Sequence, residues 1–220
     1  MKFTRHGLWE MIFGTIGLAI VALGLAWIHP LLALIVVPVW VWLLAFFRDP
    51  ERPIPPEAGL YVSPADGLVS DVTELEHDDL IGGPAVRVGI FLSVFNVHVN
   101  RAPCAGTVTA VTYKVGKFLN ALNHAGASSD NESNTIVISD DNGKPVAVVK
   151  QIVGLIARRI ICTAVVGTKL ARGERFGMIK FGSRTELTIP KSLNPDVKVK
   201  VGQKVRGAID VIAQVPSVGE

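Results

Sequence analysis

The chain has 220 residues, with 22 Lys and Arg against 19 Asp and Glu, a formal net charge of +3. Basic and aromatic residues are not interleaved, which argues against a nucleic-acid binder, and two cysteines without metal-ligand spacing argue against a zinc site or a disulfide framework. Hydrophobic residues make up 49% of the chain and the mean hydropathy is +0.41, so one or two domains with a membrane segment are expected.

Residues 11–28 and 31–47 contain no Asp, Glu, Lys or Arg, and His29-Pro30 separates them. As a helix each run reaches roughly 26 Å, just short of a ~30 Å hydrocarbon core. The expectation is a membrane anchor over 1–47 in the form of a helical hairpin, with one long tilted span as the alternative. Lys2 and Arg5 precede the runs, Arg48 and Arg52 follow them, and the connector is uncharged; this pattern places both ends, and the domain that follows, on the cytoplasmic side. No small-residue cleavage site marks the first run as a signal peptide. Residues 48–59 carry prolines at 50, 53, 55 and 56 and read as a stiff linker. Its arginines are either contacts to lipid phosphates or solvated charges.

From residue 60 onward the pattern is β. Short Val- and Ile-rich runs at 60–62, 67–75, 86–94, 107–115, 135–139, 146–153, 160–166, 178–181, 184–189, 197–201 and 205–213 are bounded by Gly, Pro, Asn or Asp. Residues 154–160 suggest one or two helical turns. The fold class expected for 60–220 is mainly β, an antiparallel sheet or barrel-like domain large enough for its own core. Cys104 and Cys162 sit in apolar strand contexts as plain core residues. Residues 118–134 are polar and form either a solvated loop or a lid over a site, in which Asn131 and Glu132 face the ligand. Residues 150–191 hold nine basic residues against Glu174 and Glu186, which reads as a solvated face or a surface for anionic lipid.

Three places could carry chemistry. In residues 175–184 a strand-like run enters Gly182-Ser183 and an alternating run leaves it. A hairpin turn explains that spacing. So does a self-processing site, in which the Ser183 hydroxyl attacks the carbonyl of Gly182 and the resulting ester is eliminated to leave a pyruvoyl group on a new N-terminus. Asp66, in Ser63-Pro-Ala-Asp-Gly67, is either a turn residue or an acid in a site. His98 is either a structural strand histidine or a proton carrier, with His124 as its rival.

Taken together, Phe47-Arg-Asp-Pro-Glu-Arg52, Ser63-Pro-Ala-Asp-Gly67, Asn96-Val-His-Val-Asn-Arg-Ala-Pro103 and Gly182-Ser183 resemble the phosphatidylserine decarboxylases, in their short-chain, archaeal-type subfamily. The resemblance covers about residues 45–212. It implies a proenzyme cut between Gly182 and Ser183 into a β chain, 1–182, and an α chain, 183–220, which stay together as a heterodimer open to higher assembly. It implies that Ser183 becomes a covalently bound pyruvoyl group that takes the substrate amine as a Schiff base, with no metal and no pyridoxal phosphate. His98 would return the proton, Asp66 would orient or activate the machinery, and Arg101, Asn131 and Glu132 would meet the substrate. The implied reaction turns phosphatidylserine into phosphatidylethanolamine and CO2 at the cell membrane. A related serine phospholipid of the archaetidylserine type is an alternative substrate, and an uncleaved membrane-tethered β scaffold is the non-enzymatic alternative.

Overall fold

The computed structural model describes residues 2–119, 128–154, 159–180 and 183–216. Gly182, His124 and most of the helical turn expected at 154–160 lie outside these residues. The chain divides into two compact units, Met1–Glu51 and Arg52–Glu220.

In the first unit a 3-10 turn leads into helix α1 (Leu8–Ile28), and a 3-10 stretch, Pro30–Ile35, leads into α2 (Val36–Phe46). The break falls at His29-Pro30 because proline lacks the N–H that would continue α1. His29 is extended there, and its Nδ1 accepts from the Leu31 N–H at 3.3 Å. The two helices fold back on each other: Trp40 Nε1 donates to Thr15 Oγ1 at 3.1 Å, and Gly14 leaves room for Leu43. Backbone bonds from Thr4 to Phe47 (2.9 Å) and from Asp49 to Lys2 (2.8 Å) close the hairpin at its open end. The helical stretch Arg5–Ile28 is long and apolar enough to cross a membrane, whereas Pro30–Phe46 is shorter.

The second unit is mainly β. Its strands are β1 (Leu60–Val62), β2 (Gly67–Asp78), β3 (Gly83–Leu92), β4 (Val99–Arg101), β5 (Gly106–Lys114), β6 (Ser133–Ser139), β7 (Pro145–Val153), β8 (Arg159–Cys162), β9 (Lys169–Leu170), β10 (Arg175–Lys180), β11 (Ser183–Pro190), β12 (Asp196–Val197), β13 (Lys204–Val205) and β14 (Val211–Gln214). One eight-stranded antiparallel sheet runs β13-β2-β3-β11-β7-β6-β5-β9 and curls into a half-barrel. Two three-stranded sheets, β1-β14-β12 and β4-β10-β8, complete the unit. The antiparallel, barrel-like fold class expected from the sequence is the one observed.

The C-terminal stretch departs from the pattern read at 205–213. Ala208 takes a positive φ of 65°, and the Asp210 carboxylate accepts from the Arg206 N–H at 2.7 Å. A local carboxylate-to-backbone bond of this kind competes with a strand ladder, so the run becomes a turn between β13 and β14.

The core follows strand alternation. Val88, Ile90 and Leu92 of β3, Ile136 and Ile138 of β6, and Leu187 and Ile189 of β11 are all fully buried. Full burial of each such side chain stabilises the fold by about 1.5–3 kcal/mol. Cys104 is buried in the same cluster beside Tyr61, and burial pushes its thiol up to about 12. Such a thiol is inert at neutral pH.

Candidate active site

β11 is the fourth strand of the large sheet, flanked by β3 and β7. Its alternate residues Ser183, Thr185, Leu187 and Ile189 share one face. The last two join the apolar core, while Thr185 meets a polar layer. Asn100 Nδ2 on β4 donates to Thr185 Oγ1 (3.0 Å), Gln151 Nε2 on β7 donates to Asn100 Oδ1 (2.9 Å), and Asn134 Nδ2 on β6 donates to Gln151 Oε1 (3.1 Å). Gly177 on β10 is required here, because a Cβ would overlap the Gln151 amide and the Ile161 carbonyl.

Ser183 opens this row, paired with Leu92 of β3 and Val153 of β7. It is fully buried, and its Oγ makes no hydrogen bond. Among the described residues the only other buried side-chain polar atoms in that condition are the Nε atoms of Arg87 and Arg172. A buried hydroxyl left unsatisfied costs about 1–3 kcal/mol, beside amides that are all satisfied. Among the described residues the hydroxyl therefore makes no hydrogen bond that holds the fold.

Strand pairing relates the other candidates to Ser183 through β10 and β3. Val99 of β4 pairs with Met178 of β10, and the Ile179 N–H donates to the His98 carbonyl at 3.2 Å, so His98 lies beside the strand that leads to Ser183. His98 is fully buried, with Nδ1 2.9 Å from the Asn96 carbonyl oxygen. A carbonyl only accepts, so Nδ1 is the donor in this bond. Asp66 directly precedes β2, whose Leu68 pairs with Phe91; the next residue, Leu92, pairs with Ser183. With strands ~4.8 Å apart, β2, which Asp66 precedes, and β11, which Ser183 opens, are separated by roughly 10 Å.

The Asp66 carboxylate takes a bidentate pair from Arg52, with Nη1 to Oδ1 at 2.5 Å and Nη2 to Oδ2 at 2.7 Å, and accepts from the Gly207 N–H at 2.8 Å. Arg52, read from the sequence as a lipid contact or a solvated charge, is thus buried in an ion pair. Arg101 is also buried: its backbone N–H donates to Pro64 at 2.9 Å, tying β4 to the loop that carries Asp66, and its Nη1 donates to the Gly173 carbonyl at 3.2 Å. Asn131 uses its side-chain amide on backbone, donating to the carbonyls of Leu119 and Val153 and accepting from the Leu119 N–H, each at 2.8 Å. Val153 is the pairing partner of Ser183, so Asn131 braces that strand end. Glu132 is half-buried and accepts a hydrogen bond from the Tyr113 hydroxyl, which pushes that hydroxyl up from its ordinary range.

Sequence reasoning missed Asn100, Gln151, Arg184, Ser70 and Asp71. Polar residues in otherwise apolar strands were the available signal for the first two. The other three meet only through pairing of β2, β3 and β11.

A cleft of about 770 Å³ opens beside Asp66. Leu68, Phe91 and the exposed Phe95 give it an apolar wall, and Lys204 and Arg206 stand at its edge.

A family model described as phosphatidylserine decarboxylase matches residues 41–213. Similar relatives carry the name phosphatidylserine decarboxylase proenzyme. The one from Cereibacter sphaeroides is 47% identical over 88% of this chain and 80% of its own length. That from Symbiobacterium thermophilum is 43% identical over 96% of this chain and 95% of its own, and that from Trichlorobacter lovleyi is 50% identical over 74% and 72%.

Proposed function

The chain belongs to the phosphatidylserine decarboxylase family, and on that premise we propose that it is a membrane-bound proenzyme that cuts itself before Ser183 and then converts phosphatidylserine to phosphatidylethanolamine and CO2. The observation that carries this is the buried Ser183 hydroxyl without a hydrogen-bond partner, at the first residue of a central strand.

In the cleavage, Ser183 Oγ gives its proton to a base and attacks the Gly182 carbonyl carbon. The C–N bond breaks, the former amide nitrogen takes up a proton, and an ester joins the two residues. Loss of the Ser183 α-proton then expels the Gly182 carboxylate, leaving a dehydroalanine. Water replaces its nitrogen, which departs as ammonia, and a pyruvoyl group remains on the α chain. The position of Ser183 fits such a group, since converting the hydroxyl disrupts no existing hydrogen bond among the described residues. When present, the pyruvoyl group supplies an electron sink for the charge left as CO2 departs.

The chain's own residues do the rest. His98, oriented by the Asn96 carbonyl, presents Nε2 to carry the proton returned to the substrate α-carbon. The cleft beside Asp66 takes the lipid, with the apolar wall along its chains and Lys204 and Arg206 toward its phosphate. The fragments stay together because β11 lies between β3 and β7, β13 pairs with β2, and β14 pairs with β1.

Denaturing electrophoresis and intact mass of the purified protein test this. Two pieces, 1–182 and 183–220, are expected. The smaller should have a blocked N-terminus, a mass below its encoded value by the Ser-to-pyruvoyl conversion, and a ketone that hydroxylamine captures with loss of activity. An active but uncut chain, or a small fragment with a free Ser amine, defeats the proposal.

The hairpin of the first unit is the proposed membrane anchor. Large apolar side chains such as Trp27, Ile28 and Leu23 are more than 70% exposed, which an aqueous surface does not favour. With basic residues on both flanks, reporters fused at either chain end should both read cytoplasmic. Opposite readings would put a single span in place of the hairpin.

A further inference from the structure

Arg184 heads the fully buried side chains by volume among the described residues, and it lies one residue beyond the bond cut in the proposed reaction. Its side chain leaves β11 on the face opposite Ser183. There Nε donates to Glu186 Oε1 (2.9 Å), Nη1 to Ser70 Oγ (2.5 Å) and Nη2 to Asp71 Oδ1 (2.5 Å). Two backbone features serve this one guanidinium. A β-bulge in β2 sets Ser70 as an extra residue between the pairs Val69–Ile90 and Asp71–Gly89, so that Ser70 and Asp71 both reach Arg184. Gly89 of β3, opposite both Asp71 and Glu186, leaves the gap through which the guanidinium passes; a Cβ there would overlap it.

Burial raises the Asp71 carboxyl, and the hydrogen bond and charge of Arg184 more than reverse this, leaving it below the usual carboxylate range. Arg87 faces Asp71, and Lys150 faces Glu186. Burying a guanidinium is costly unless every partner is in place. Strand formation alone does not need one at this position.

We propose that Arg184 is a positioning residue for self-cleavage. It ties residue 184 to β2 across β3 and so keeps the Ser183 backbone, and with it Oγ, in one place while the preceding carbonyl is attacked. Once the chain is cut, the same tie keeps the new terminus from fraying out of the sheet. This rests on the self-cleavage proposed above.

The test follows the appearance of fragment 183–220 after cell-free synthesis of the full chain in detergent. Arg184→Lys keeps the charge but cannot span three acceptors on two strands. Gly89→Ala closes the gap without removing any polar group, so that the guanidinium must shift. Ile189→Ala deletes a buried side chain at the far end of the same strand and controls for lost stability. Since small misplacements of reacting groups cost on the order of 100-fold, Arg184→Lys and Gly89→Ala should each cut at least about tenfold more slowly than wild type. Ile189→Ala should stay within about threefold even where its melting temperature falls as far. Wild-type cutting in Arg184→Lys or Gly89→Ala, or equal slowing in Ile189→Ala, overturns the role of Arg184 alone. An uncut wild-type chain removes the proposed function and this inference with it.

Discussion

Ser183→Ala is expected to remain a single uncut chain without decarboxylase activity. No hydroxyl is then present to attack Gly182, and no pyruvoyl group can form. The loss should be complete within the detection limit, because cleavage and cofactor both come from the one oxygen. This variant separates chemistry from folding because Ser183 Oγ holds nothing in place. Removing a buried, unsatisfied hydroxyl should be neutral or stabilising by about 1 kcal/mol. For a chain of this size that is a rise of at most about 2–4 °C in melting temperature. Intact mass, a lipid decarboxylation assay and a thermal melt on the same preparation decide the matter. A Ser183→Ala chain that is still cut at residue 183, or that decarboxylates phosphatidylserine, sinks the self-processing mechanism.

The β architecture was legible because its long strands are local patterns. The alternation Arg184-Thr-Glu-Leu-Thr-Ile shows a strand before any partner is known, and the runs at 60–62 and 146–153 match β1 and β7 within a residue. The broken stretch at 205–213 was not legible, since a side chain capping its own backbone at Asp210 leaves the Val and Ile pattern unchanged. Within the site, the resemblance nominated Ser183, His98 and Asp66; the pairing of β2, β3 and β11 puts Asp66 and Ser183 toward one end of the large sheet, while His98 precedes β4 of a second sheet.

What stayed hidden was the use of charge. The basic residues of 150–191 read as one face, yet Lys180 is 4% exposed and Arg184 is buried completely. Arg172 donates to the backbone carbonyls of Pro55, Glu57 and Leu60. Whether a guanidinium faces lipid, water or a buried carboxylate depends on strands far away in sequence. The Arg184–Asp71 pair spans 113 residues and exists only because β3 inserts a glycine between the two. Composition carries no trace of such a pairing.

His98 is the second residue whose change should act strongly, and its surroundings select the informative variant. His98→Ala would leave a hole in a fully buried position and strand the Asn96 carbonyl without its donor. Those costs confuse folding with catalysis. In His98→Asn the side-chain amide can still donate to that carbonyl from near the place of Nδ1, but no basic nitrogen replaces Nε2. General acid–base catalysis by one positioned group contributes typically ~10²–10⁴-fold, and His98→Asn should lose decarboxylation by that order. The gel lane of the same variant then assigns the role. If His98 serves turnover alone, the fragments 1–182 and 183–220 form at the wild-type rate, and only the cut, pyruvoyl-bearing enzyme is slow. If His98 is also the base that takes the Ser183 proton, cleavage slows alongside turnover. Wild-type decarboxylation by His98→Asn would remove His98 from the mechanism and pass the proton-carrying role to His124.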